Sequence, residues 1–358
     1  MTTFVKRNWT DADAPTLAGE PGNLVRLLRQ VFSEGYGSGD QATPPIPGWE
    51  MRFSEDGLKC AMRSMHPESP GYWFHIDDTD PRVAHAHGGV DFTEWDETGA
   101  WSLSAQFPTE QENPVRFVKS TRDSSEARMW TIIADERTAY LSLCRSRFGY
   151  GFVSDGDETD DRPGAARFAF NILGDIHPSP AFSHSACVLL GWGTEAPGVG
   201  NWQSPDERTG WLNTTGDKEQ HGRAAAGPSG DPSAVIRPIY TGRSPSGPGR
   251  DAFCATPDNW TDTAPLGLLP IHIGFTGKGE MEANKGVVFG RLRGVLHPLA
   301  FAGDSHAAVE AIMGAPVTSN DDPVESVGIL GDDFFVMPYS VQDEDLGCLF
   351  IRKAGDDS

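Results

Sequence analysis

The chain has 358 residues and carries 51 acidic against 29 basic side chains, a formal charge of −22 at pH 7 with histidine neutral. That balance excludes the classes that need a basic face, because phosphates and anionic lipids are both bound by Lys and Arg. Neither nucleic acid nor a membrane surface is therefore expected as a partner. The 19 Phe and 10 Trp exclude global disorder, and 41 Gly with 27 Pro fit a β protein with many turns.

Residues 1–9 contain no apolar run, so no signal peptide is expected, and no window approaches the roughly 18 apolar residues of a membrane span. The spacing of Leu24, Leu27, Leu28, Val31 and Phe32 predicts a helix over residues 23–32, opened by Pro21 and Gly22 and stopped by Gly35. A Pro-rich connector, residues 44–48, leads to Trp49. From there the period shortens. Residues 49–53, 58–63, 71–76, 82–87 and 115–119 read as short strands, each followed by turn residues.

Residues 129–134 and 138–144 form the clearest hairpin, joined by the polar turn Asp135-Glu136-Arg137. Residues 167–173 supply a further strand of the same sheet, with the acidic stretch 155–161 expected as an exposed loop tip between them. Residues 185–192 read as an apolar strand or a short buried helix. From Thr194 to Pro257 the chain turns Gly-, Pro-, Ser- and Asp-rich, with one strand signal at residues 234–240. Strand character resumes at 266–273, 286–296, 333–339 and 346–351, and a helix is expected over 304–313, capped by Asp304 and ended by Gly314.

The fold class so implied is mainly β, with antiparallel sandwich or barrel-like sheets and a few short helices, near Asn23 to Phe32 and near Asp304 to Met313. The expected domain plan is 1–195, a Gly/Pro-rich excursion over 196–257, and a β-rich part over 258–358 able to pack with the first.

Motifs for chemistry are sparse. His85 and His87 alternate on one expected strand and would share a face, which makes them the best metal candidates, but no third ligand stands out. The commoner cause of such a pair is a sheet-face histidine. There is no G-x-S-x-G elbow, and Gly191-Trp192-Gly193 lacks the rest of a dinucleotide loop. The acid pairs Asp77-Asp78, Asp160-Asp161, Asp321-Asp322 and Asp332-Asp333 read as solvated loop residues. Trp192, Trp202, Trp211 and Trp260 could line a sugar groove. Cys60, Cys144, Cys187, Cys254 and Cys348 are scattered and read as buried, reduced thiols. No catalytic, cofactor-binding or metal-binding residue is assigned.

The order of short segments carries more. It runs Asp13-Ala14-Pro15-Thr16-Leu17-Ala18-Gly19, Glu34-Gly35-Tyr36-Gly37, Pro47-Gly48-Trp49-Glu50, Ile76-Asp77-Asp78-Thr79, Val118-Lys119-Ser120 and Arg128-Met129-Trp130-Thr131. It continues with Leu173-Gly174-Asp175-Ile176 and Gly290-Arg291-Leu292-Arg293-Gly294-Val295-Leu296-His297-Pro298-Leu299. This series resembles a family of tailed-bacteriophage virion structural proteins encoded among head, neck and tail genes. The resemblance implies a non-enzymatic subunit of the neck or tail region, made in the host bacterial cytoplasm and carried in the virion. Its implied partners are copies of itself and other virion proteins, and it implies no cofactor. A capsid-surface decoration protein and a carbohydrate-binding, receptor-binding virion component are the alternatives.

Overall fold

A computed structural model describes residues 3–95, 101–103, 115–120, 123–144, 168–178, 186–190, 223–226, 236–239, 268–275, 288–298, 326–329, 332–341 and 345–354. Among these the protein is mainly β, in antiparallel sheets of which one is nearly closed and barrel-like, with one short α-helix. The mainly β, antiparallel class expected from turn spacing is the observed one. The expected helix over 304–313 and the acidic stretch 155–161 lie outside the described residues.

The hairpin organises the largest sheet. Trp130–Ala134 pairs antiparallel with Thr138–Cys144, Trp130 opposite Leu143 and Ala134 opposite Ala139. Period-2 alternation sends its residues to two environments. Trp130, Ile132, Leu141 and Leu143 enter a core shared with the helix. Tyr140 points the other way, its ring centroid 6.0 Å from Phe4 and its hydroxyl donating to the Arg293 carbonyl at 2.8 Å.

Around the hairpin the sheet curls. Its order is Val5–Asn8, Trp130–Ala134, Thr138–Cys144, Phe168–Pro178, Val288–Pro298 and Asp345–Arg352. The two ends then meet: Thr3 bridges Ala354, and the Phe4 amide donates to the Lys353 carbonyl at 3.0 Å. Three two-stranded wings branch from this ring. Ala186–Leu190 with Arg223–Ala226 flanks Phe168–Pro178; Leu268–Phe275 with Ile236–Ile239 flanks Val288–Pro298; Asp332–Val341 with Ser326–Ile329 flanks Asp345–Arg352. Residues 186–190 thus settle as strand. His177 pairs with Arg291, joining strands from either side of the 196–257 stretch.

Some strands carry no local signature. Val5–Asn8 is rich in charge, and Ser124–Arg128 is largely polar and exposed. Each is strand because an apolar neighbour offers it a ladder: Trp130–Ala134 for the first, Leu17–Gly19 for the second. Pairing context overrides intrinsic β preference at such positions.

The helix Asn23–Arg29 runs into a wider turn over Gln30–Glu34 and stops at Gly35, whose φ of 78° lies in the left-handed region. It buries Leu24, Val25, Leu27, Leu28, Val31 and Phe32 against a five-stranded sheet. That sheet is Trp49–Phe53, Lys59–Ser64, Trp73–Asp77, Val83–Gly89 and Val115–Val118, in chain order. It docks on the hairpin turn through polar bonds. The Trp49 indole donates to the Asp135 carbonyl at 2.8 Å, and the Ser64 hydroxyl to the Glu136 carbonyl at 2.7 Å.

One glycine is fixed by this crossing. Gly174 has φ 124°, and a Cβ there would lie 2.3 Å from the Arg137 carbonyl oxygen and 2.6 Å from the Thr138 Cα. Both are backbone atoms, one in the hairpin turn and one at the start of the paired strand, and cannot swing aside. Gly174→Ala is expected to destabilise the fold by more than about 1 kcal/mol, the cost of the φ alone. Denaturant unfolding checks this; an unchanged midpoint would contradict it.

Candidate functional site

Two groups of chemically capable side chains stand out, on opposite sides of the five-stranded sheet. The inner face, with Cys60, Met62, Phe74, Ile76 and Phe117, faces the helix. Alternation places Trp73, His75, Asp77, His85 and His87 on the outer face. His75 lies directly opposite His87, and Asp77 opposite His85.

A small cover sits over this outer face. Phe92–Thr93 pairs with Ser102–Leu103 as a separate two-stranded sheet. Phe92 and Leu103 pack on Trp73 and Ala61, joined by Trp95 and Trp101. The His75 imidazole stacks on Trp101 with ring centroids 3.7 Å apart and planes 18° from parallel. Trp95 lies 5.8 Å and Phe92 6.1 Å from the same ring, and His87 lies 5.5 Å from Trp101. Trp73 is flanked by the Arg52 and Arg63 guanidiniums at 4.7 and 4.6 Å, both held by Glu50.

His75 is fully buried, and neither ring nitrogen has a hydrogen-bond partner. Burial disfavours the imidazolium and brings its pKa down to about 3, against the pull of Asp77. The His85 imidazole is also lowered, first by burial and then by the Arg116 guanidinium. His75 therefore stays neutral through the physiological range.

On the inner side the buried ions brace the fold. Asp78 and Lys119 are both fully buried and form an ion pair. Lys119 Nζ also donates to the Glu20 carbonyl at 2.6 Å. The second Asp78 oxygen accepts the Leu24 amide at 2.7 Å and the Val25 amide at 3.3 Å. Asp78 thus caps a helix that lacks a side-chain cap of its own. Burial pushes the Asp78 carboxyl up, to about 6, and the Lys119 ammonium down; their mutual attraction opposes both.

A second brace surrounds the hairpin turn. Asp135 takes the Arg137 and Thr138 amides on one oxygen, at 2.8 and 2.7 Å, and the Arg293 guanidinium on the other at 2.8 Å. Arg137 reaches Asp175 at 2.9 Å and Glu68 at 2.8 Å. Ser69 donates to the other Asp175 oxygen at 3.0 Å. Burial raises the Asp175 carboxyl to about 6, with Arg137 working against it.

The expected sites fare unequally. His85 and His87 share a strand face as the alternation implies, but the near neighbour of His87 is His75, which local motif reading passed over. Its signal was present: Trp73-Phe74-His75-Ile76-Asp77 places the histidine two residues from both Trp73 and Asp77. Among the described residues no group of three or more His, Cys, Asp or Glu side chains is placed to hold a metal. Asp160-Asp161 and Asp321-Asp322 lie outside the described residues, and the other two acid pairs need correction. Asp77 ends a strand and Asp78 is fully buried, because the helix and Lys119 claim its oxygens; Asp332 and Asp333 are exposed but belong to a strand. Cys60 and Cys187 are buried thiols, and burial pushes the Cys60 thiol upward. Trp192, Trp202, Trp211 and Trp260 lie outside the described residues. No described helix is long and apolar enough to cross a membrane.

No protein-family model matches this chain, and no curated protein matches it.

Proposed function

We propose that the chain is a non-enzymatic structural subunit of a tailed-phage virion, in the neck or tail region, acting through contacts with copies of itself and with other virion proteins. The observation that carries this reading is the ring closed by both chain ends, with wings that end in strands. Ser326–Ile329, Arg223–Ala226 and Ile236–Ile239 each pair along one side among the described residues. A strand in that position offers a row of backbone donors and acceptors to a neighbouring chain. The resemblance of the short segments to phage virion proteins supports the same reading and supplies the particle. So does the use of buried charge: Asp78, Lys119, Asp135, Arg293, Arg137 and Asp175 hold elements together. Arg223–Ala226 and Ile236–Ile239 also approach each other, so among the described residues Ser326–Ile329 is the edge best placed for such a neighbour. The −22 charge keeps loose copies apart until specific edges engage.

Sedimentation velocity of the purified full chain tests this. The expected result is a defined multimer whose population grows with concentration. A monomer at every concentration would overturn the reading.

A further inference from the structure

We propose that His75 is an acid-operated latch: a proton on its imidazole releases the cover formed by residues 92–95 and 101–103 from the outer face of the five-stranded sheet. The cover is built for separable movement. Among the described residues its two short strands pair with each other and with no other sheet, so side-chain packing on Trp73, His75 and Ala61, together with the Arg52–Glu94 ion pair at its rim, holds it down. At the centre of that packing is an imidazole with two unsatisfied ring nitrogens, and Trp95 Nε1 beside it is also buried without a partner. A neutral imidazole carries one donor and one acceptor, and burying both unpaired costs free energy that hydration in an open state would recover.

Protonation adds a charge to this dry site. Stacking on Trp101 gives an imidazolium some cation–π attraction. Burial outweighs it, which is why the group resists protonation while the cover is closed. The surrounding charges divide, and burial decides the direction. Asp77 on the same strand favours the proton, but it is held by Lys59 Nζ at 3.4 Å and by the Thr79 hydroxyl at 2.7 Å. Lys59 and His87, on the two adjoining strands, oppose it. Further across the same face stand His85, Arg116, Arg63 and Arg52, with Glu50 and the cover's own Glu94 engaged by Arg52.

In the open state His75 regains its ordinary value of about 6.5, so acid draws the equilibrium toward opening. The opening constant rises about tenfold for each pH unit below that value. The expected order is release of the cover first and loss of the hairpin later.

Hydrogen–deuterium exchange with mass spectrometry, corrected for intrinsic exchange, reads this between about pH 7 and pH 4. In the wild-type chain, peptides covering residues 92–95 and 101–103 are expected to lose protection as the pH falls while peptides over 130–144 keep theirs. His75→Gln, neutral throughout, is expected to flatten that dependence, and His75→Phe is the second variant should the first not fold. A cover that stays protected until the hairpin also opens would overturn the proposal. So would a His75→Gln or His75→Phe cover that opens with the wild-type pH slope.

Discussion

Replacing Lys119 with methionine is expected to cost about 3–5 kcal/mol of folding stability, read by denaturant unfolding. Lys119 and Asp78 are both fully buried, and the lysine is the cation that compensates the carboxylate. Without it, Asp78 must either remain ionised in a dry site or take up a proton. Its cap on Leu24 and Val25 persists in the single variant, so the loss reports chiefly the stranded charge. The double variant Asp78→Asn with Lys119→Met separates the two roles. Asparagine keeps an acceptor for the helix amides but carries no charge, so the pair of changes is expected to recover most of the loss. Equal loss in the single and double variants would show that the ion pair is not the cause.

Arg293→Met is the second large effect, about 3 kcal/mol, at the lower end for a broken buried pair. Asp135 retains two backbone donors, from Arg137 and Thr138, and that moderates the cost. Distance in the chain gives this contact its reach. Arg293 Nη2 meets Asp135 Oδ2 across 158 residues, tying the hairpin turn to Val288–Pro298. The Tyr140 hydroxyl bond to the Arg293 carbonyl survives the substitution, because it uses the backbone. The expected signature is therefore a lowered unfolding midpoint without loss of the hairpin. Exchange protection over residues 130–144 should remain in native conditions, and its disappearance there would contradict the assignment.

Much of the β architecture was legible because the signals are local. The hairpin strand Thr138–Cys144 and the strand Trp49–Phe53 fall where alternation and turn residues place them. The helix began where Gly22 and the Leu-rich stripe indicated, although its cap is supplied from 54 residues away. That distance is why Asp78 was misread as a solvated loop acid: an Asp-Asp pair looks alike in sequence whether it faces water or a helix N-terminus. Val5–Asn8 was invisible for a related reason, since its pairing partner lies beyond residue 129. Among the short segments behind the phage resemblance, Ile76-Asp77-Asp78-Thr79, Val118-Lys119-Ser120, Leu173-Gly174-Asp175-Ile176 and Gly290 onward contain the bracing residues Asp78, Lys119, Asp175 and Arg293. The outer-face cluster was only half legible. His85 and His87 drew notice as a pair, whereas the nearest contact of the cluster, His75 on Trp101, joins a strand to a separate cover.

Cryo-electron microscopy of the purified full chain, concentrated until it sediments as more than one copy, tests the assembly reading most directly. The account predicts a closed or stacked arrangement of identical subunits whose neighbours meet along wing strands such as Ser326–Ile329. Images showing only separate single copies, or copies joined solely through the closed ring with the wing edges facing solvent, would contradict it.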